Sequence, residues 1–283
     1  MIPKKIHYCW LSNDKMSKIT KKCMDTWRNV LPDYEFILWN IKNFDINSVP
    51  FVKQAYDLKK YSFASDYIRL YAVYSEGGIY LDTDVFVKKS FNDLLHYDFF
   101  SSLERDLTTI PINSEYTNYF LNNENPNLKN NKINRIDGFG LQAAIFGAKA
   151  KNLFIKDCMN WYENNNLLST YTFPGKKNGV IAPDVYAALL QKYGFKYISG
   201  IQQLINNMII LPADYFPNHI YKTDNAYAVH ICENSWNIKN NKSFIKKIVE
   251  LIKRNNIIRK FLKKKNYYSL EEIINIGGYY RLK

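Results

Sequence analysis

"GGIYLDTDVF", residues 77–86, sets the problem of this chain. Paired glycines stop a long apolar segment, and a strand-like run of Ile79, Tyr80, Leu81, Val85 and Phe86 follows, interrupted by Asp82 and Asp84. The alternation predicts one strand through "IYLDTDVFV". Residues i and i+2 of a strand project from the same face, so the two carboxylates point together, about 7 Å apart along the chain. The run is too apolar for a surface loop, so the pair is either a mistake of burial or a place for a cation.

Outward from that strand the pattern is regular. "KIHYCWL" predicts a first strand, and "KITKKCMDTWRNVL" a helix with Ile19, Cys23, Trp27 and Val30 on one face. "YEFILWN" predicts a second strand, and residues 51–78 helical segments that end at Gly77-Gly78. Strand, helix, strand, helix, strand is a βαβ series, so the predicted fold is α/β with a mostly parallel sheet. Further on, 122–135 reads as a polar loop, "LQAAIFGAKAKNLFIKDCMNWYENN" as strand then helix, "PDVYAALLQKYG" as a short helix, and "NMIILPADYFP" as a strand entering a loop. A catalytic domain is assigned to 1–236 and a basic amphipathic helical extension to 237–283.

Composition narrows the class. With 283 residues, 47% apolar and 16% aromatic, the chain has ample material for a core. No run of 18 apolar residues predicts a spanning helix, and the first residues do not read as a signal peptide. Cys9, Cys23, Cys158 and Cys232 are scattered, as reduced thiols of a cytoplasmic protein are. The formal charge of +13 raises the question of nucleic acid, but 237–265 holds eleven Lys/Arg against Glu250, so the rest is nearly neutral. Nucleic acid is therefore set aside. The basic segment reads as a helix that either packs on the body or docks at an anionic membrane surface.

Two carboxylates after a strand in an α/β sheet suit Mg²⁺ or Mn²⁺, with the remaining positions given to substrate phosphates. Upstream, Asp66 and Arg69 are i and i+3 on one helix face, flanked by apolar residues. A guanidinium in such a partly buried wall suits phosphate or sugar hydroxyls.

"IPKKIHYCWLS", "ASDYIRLYAVYSEGGIYLDTDV", "PADYFPNHIY" and "AYAVHICENSW", in this order, resemble the DXD-containing glycosyltransferases of capsular polysaccharide synthesis and the Och1-like sugar transferases. The donor site of that family is related to the large clostridial glucosylating toxins. The resemblance implies a GT-A fold, a nucleotide-sugar donor (UDP-linked by preference), Mn²⁺ or Mg²⁺, and transfer with retention to a glycan or lipid-linked oligosaccharide. It places Tyr8, Cys9, Trp10, Ser65, Asp66, Arg69, Tyr80, Asp82, Ser235 and Trp236 at the donor, and Asp82, Asp84 and His230 at the metal. Asp82, Asp84, Arg69 and Gln142 are the catalytic assignments, with Asp137 beside Gln142 on the acceptor side. Trp10 is either a stacking platform for the donor base or plain core. The family's "HH-x-x-G-S-W" element is altered, with Ile231 and Asn234 at the second His and the Gly positions and Glu233 added, so His230 and Glu233 compete for the metal role. Asp184 reads as a helix N-cap.

No carboxylate nucleophile stands out. The implied chemistry is front-face transfer, the leaving phosphate taking the acceptor proton. The rival functions are a toxin-like transferase acting on a protein and a non-catalytic sugar-nucleotide binder.

Overall fold

The computed structural model describes residues 1–105, 139–167, 181–198, 200–218 and 223–232. Its centre is an eight-stranded sheet. β1 (Lys5–Cys9) pairs in parallel with β2 (Glu35–Trp39) on one side and with β3 (Gly78–Leu81) on the other. β7 (Ile145–Ala148) then runs antiparallel between β3 and β5 (Phe99–Arg105). Beyond β5 lie β9 (Met208–Leu211), parallel to it, and β8 (Gln202–Leu204), antiparallel to β9. β6 (Phe139–Leu141) adds to β5. Five of the eight strands thus point one way, as the α/β reading requires, with β7 reversed in the middle.

Successive residues of the central strands supply two separate cores. Tyr80, Phe99, Phe146 and Ile210 pack under α2 (Pro50–Asp57), α3 (Tyr61–Glu76), α4 (Leu153–Glu163) and α5 (Ala182–Leu190). Ile79, Leu81, Phe100, Ile145 and Ile209 face the other way, toward α1 (Lys18–Val30). This period-2 partition is why these strands read as nearly continuous apolar runs. α1 starts at Ser17, whose Oγ accepts the Thr20 N–H at 2.9 Å, and it buries Thr20, Cys23, Met24 and Trp27.

One predicted element is corrected. "IYLDTDVFV" is two strands. β3 stops at Leu81, and β4 (Val85–Val87) leaves the sheet to form an antiparallel ribbon with β10 (Ala228–His230). The break is a tight turn, in which the Val85 N–H bonds to the Asp82 carbonyl at 3.0 Å while the Asp82 N–H bonds to Ala144 O at 2.9 Å. α1 holds the ribbon in place, the Trp27 indole donating to Val85 O at 2.7 Å and the Thr26 hydroxyl accepting from Val87 N–H at 2.9 Å.

No disulfide joins the four cysteines. Among the described residues no helix is long and apolar enough to cross a membrane. The loop read at 122–135 and the extension 237–283 lie outside the described residues.

Candidate metal and donor site

The site begins with the two glycines. Gly77 and Gly78 take φ of +66° and +121°, conformations costly for residues with a side chain. A Cβ on Gly78 would also stand 2.8 Å from Lys5 O and 3.0 Å from His7 Nε2. Glycine therefore lets α3 turn directly into β3 while β3 lies tight against β1. That turn puts Asp66 and Arg69 of α3 beside Tyr80 and Asp82.

Arg69 is 4% exposed, and all three of its guanidinium nitrogens are engaged. Nε donates to Ser65 O at 3.1 Å, Nη1 to Ala143 O at 2.8 Å and Nη2 to Ser65 Oγ at 2.9 Å. Nη2 also pairs with Asp66 at 3.0 Å and with Asp82 at 3.5 Å. The guanidinium lies over the Tyr80 ring, 4.8 Å from its centroid. The Tyr80 hydroxyl donates to Asp82 Oδ1 at 2.7 Å, and burial pushes its pKa well above the ordinary phenol value, so it stays a donor. Arg69 is thus a brace between the two carboxylates.

Asp84 sits across the turn. Its carbonyl accepts the Ile231 N–H at 3.0 Å, and its Oδ1 lies 3.4 Å from His230 Nε2. His230 is aligned opposite Val85 in the ribbon, and its backbone N–H bonds to Pro217 O at 2.9 Å. Burial opposes a charge on His230, but the adjoining Cys232 and the Asp84 carboxylate outweigh it and raise its pKa.

Asp82, Asp84 and His230 each offer one ligand atom, all within 4.8 Å of one another. Two hard carboxylate oxygens and one imidazole nitrogen, all partly buried, fit a divalent first-row cation with positions left for phosphate oxygens. The turn, and not period-2 alternation of a strand, is what converges the acids.

The other predicted residues separate. Ser65, Asp66 and Tyr80 line the Arg69 corner, together with Cys9, whose thiol burial raises to about 12. Tyr8 points to the opposite face of β1, edge-on to Trp27 at 5.6 Å. Trp10 is half-buried outside both cores and donates from Nε1 to Asp14 O at 3.1 Å, so the plain-core alternative falls. Gln142 is buried. It donates to Phe216 O at 3.1 Å and accepts from Ala144 N–H at 3.1 Å, which ties the turn before β7 to the "PADYFPN" loop that holds His230. Asp184 caps from inside the first turn of α5, its carboxylate accepting the Ile181 N–H at 3.3 Å, so Ile181 takes the N-cap position itself. Asp137, Glu233, Asn234, Ser235 and Trp236 lie outside the described residues.

Two residues beside the site were not singled out from the sequence. The Tyr186 hydroxyl is buried without a hydrogen-bond partner among the described residues, close enough to Arg69 and Asp66 for both to act on its ionisation. Cys232 lies against the His230 ring. One was hidden in an apolar helix, the other among scattered thiols.

Residues 17–100, which hold α3, Arg69 and both acids, match the family described as "Glycosyltransferase sugar-binding region containing DXD motif". In that segment the chain is similar to a DXD sugar-binding region. Over 103 residues it is 36% identical to inositol phosphoceramide mannosyltransferase 3 of Schizosaccharomyces pombe (strain 972 / ATCC 24843), a match covering 34% of this chain and 28% of the relative. Inositol phosphoceramide mannosyltransferase 2 of the same organism is 30% identical over 101 residues, covering 34% and 29%. The chain therefore spans less than a third of the curated relatives it matches. Among solved structures, PaToxG glycosyltransferase aligns with a TM-score of 0.43 and 18% identity, over 68% of this chain and 70% of that one. The DXD region ends before His230, so the third donor of the cluster comes from outside the matched segment.

Proposed function

We propose that this chain is a metal-dependent glycosyltransferase that moves a hexose or N-acetylhexosamine, with retention, from a nucleotide sugar to a glycan acceptor. The observation that carries the reading is the convergence, at the carboxyl end of β3, of Asp82 and Asp84 from the segment matching a DXD sugar-binding region with His230 from outside it. Ligands of open α/β sheets bind at such strand ends.

A divalent cation held there would offset the charge of a leaving diphosphate. The chain's own residues prepare the place. Tyr80 and Arg69 hold Asp82 in one orientation, and Arg69 pairs with Asp66 beside it. Gln142 and Pro217 fix the backbone that carries His230. No carboxylate nucleophile enters this reading; positioning does the work.

The donor is tested by thermal shift with UDP-hexoses, UDP-N-acetylhexosamines and GDP-mannose, each with and without Mn²⁺. The names of the curated relatives, which concern mannosyl transfer and not capsule synthesis, bring the mannosyl donor into the panel. Stabilisation that requires both donor and Mn²⁺, and that Asp84→Ala removes, supports the reading. No stabilisation by any donor, with Mn²⁺ present, overturns it.

The basic segment 237–283 supports docking on the cytoplasmic face of an anionic membrane, with a lipid-linked acceptor. Flotation with anionic vesicles checks this, and protein left at the bottom of the gradient refutes it.

A further inference from the structure

We propose that Cys232 is a positioning residue for the cation site: its sulfur holds the His230 ring so that Nε2 is the nitrogen offered to the cation beside Asp84. The inference rests on the metal reading above. His230 Nδ1 lies 3.5 Å from Cys232 Sγ, and Sγ lies 3.7 Å from the His230 carbonyl oxygen. The thiol proton goes to that carbonyl, which leaves a sulfur lone pair to accept the Nδ1 proton. Nε2, on the far side of the ring and 3.4 Å from Asp84 Oδ1, is then the nitrogen whose proton a cation would displace, its lone pair turning to the cation beside Asp84.

The backbone around the ring is already pinned, His230 N–H by Pro217 O and Ile231 N–H by Asp84 O. Ring rotation and tautomer are what remain to be set, and Cys232 meets the one nitrogen that Asp84 does not. Cys232 takes φ of +55°, a region that residues other than glycine rarely adopt. That conformation brings its side chain back onto the residue two positions earlier. Metal-bound histidines ordinarily donate their second N–H to a carboxylate, carbonyl or water. Here a sulfur takes that place.

The test is direct Mn²⁺ titration of the full chain without donor, read by the electron-paramagnetic-resonance signal of free Mn²⁺. Cys232→Ala keeps the Cβ, and so the backbone demand, but removes the acceptor; it weakens Mn²⁺ binding by about 10- to 100-fold. Cys232→Ser restores most of the loss, because a hydroxyl oxygen accepts the same proton. Asp84→Ala reports on the site itself. Wild-type affinity in Cys232→Ala, with affinity lost in Asp84→Ala, overturns the role of Cys232 and leaves the cation site standing. A Cys232→Ser variant as weak as Cys232→Ala, with a matching fall in melting temperature, marks a packing role and also overturns it. Wild-type protein that binds no Mn²⁺, or Asp84→Ala that binds it unchanged, removes the metal reading and this inference together.

Discussion

Asp82 and Asp84 stand two residues apart, yet they belong to differently built halves of one site. The Asp82 half is closed: α3 and β3 surround it, Tyr80 donates at 2.7 Å, and the buried Arg69 ties it to Asp66. The Asp84 half is built on backbone pairing. It rests on a two-stranded ribbon outside the main sheet and meets His230 at 3.4 Å. The difference lies in what holds each acid: Asp82 is held by side-chain partners from α3 and β3, and Asp84 by the backbone pairing of the ribbon and by His230.

Breaking the closed half has the largest expected effect. Arg69→Ala leaves Asp66 and Asp82 without their counter-charge and costs about 3–5 kcal/mol of stability, read by urea denaturation. Arg69→Lys recovers only part of it, because an ammonium cannot reproduce a planar fork that serves four residues. Breaking the ribbon half separates activity from stability. Asp84→Ala lowers Mn²⁺-dependent donor turnover by at least about 100-fold. Its unfolding free energy falls by less than that of Arg69→Ala, because the ribbon is held chiefly by backbone pairing. Equal loss of stability in the two variants would erase the distinction between the halves.

Gln142→Ala acts on the link between them. It leaves Phe216 O and Ala144 N–H without their buried partner and costs about 1–3 kcal/mol. Mn²⁺ affinity falls with it if the "PADYFPN" loop governs His230.

His7 tests the support beneath the closed half. Its Nε2 donates to Gly77 O at 2.8 Å and its Nδ1 accepts from Trp39 at 3.0 Å, with Glu76, Glu35 and Lys5 around it. Burial, the largest influence, lowers its pKa in the fold. Below the unfolded value, near 6.5, the unfolded chain gains a proton that the folded chain resists, so stability falls with pH at up to about 1.4 kcal/mol per unit. The wild-type minus His7→Gln difference in denaturation midpoint, compared at pH 7.5 and 5.5, checks this, because the raised pKa of His230 acts with the opposite sign in both proteins.

The sequence is most transparent where one rule acts alone. Apolar period marked β1, α1, β2 and α3, and the paired glycines marked the turn because two independent demands, positive φ and close approach to β1, both require them. The break between β3 and β4 was not legible, since Val85 and Phe86 continue the alternation through the turn. The same-face argument still paired the two acids, though a turn brings them together. Spacing within α3 exposed the pairing of Arg69 with Asp66, but its third partner comes from another element. β5 went unread because "FFSSLER" places Ser101 and Ser102 in the core, their hydroxyls satisfied by backbone carbonyls that no local pattern reveals.

The ribbon also dictates when the site can exist. β4 pairs with a strand more than half the chain later, so Asp84 meets His230 only after β10 has been made. Such distant pairing is slow to form, and synthesis from the N-terminus delays it further. A growing chain therefore has its two acids early and His230 late, and a product that stops short of residue 230 lacks one member of the candidate cation cluster. Completion of the site is in this sense a record that the chain has been finished at least that far.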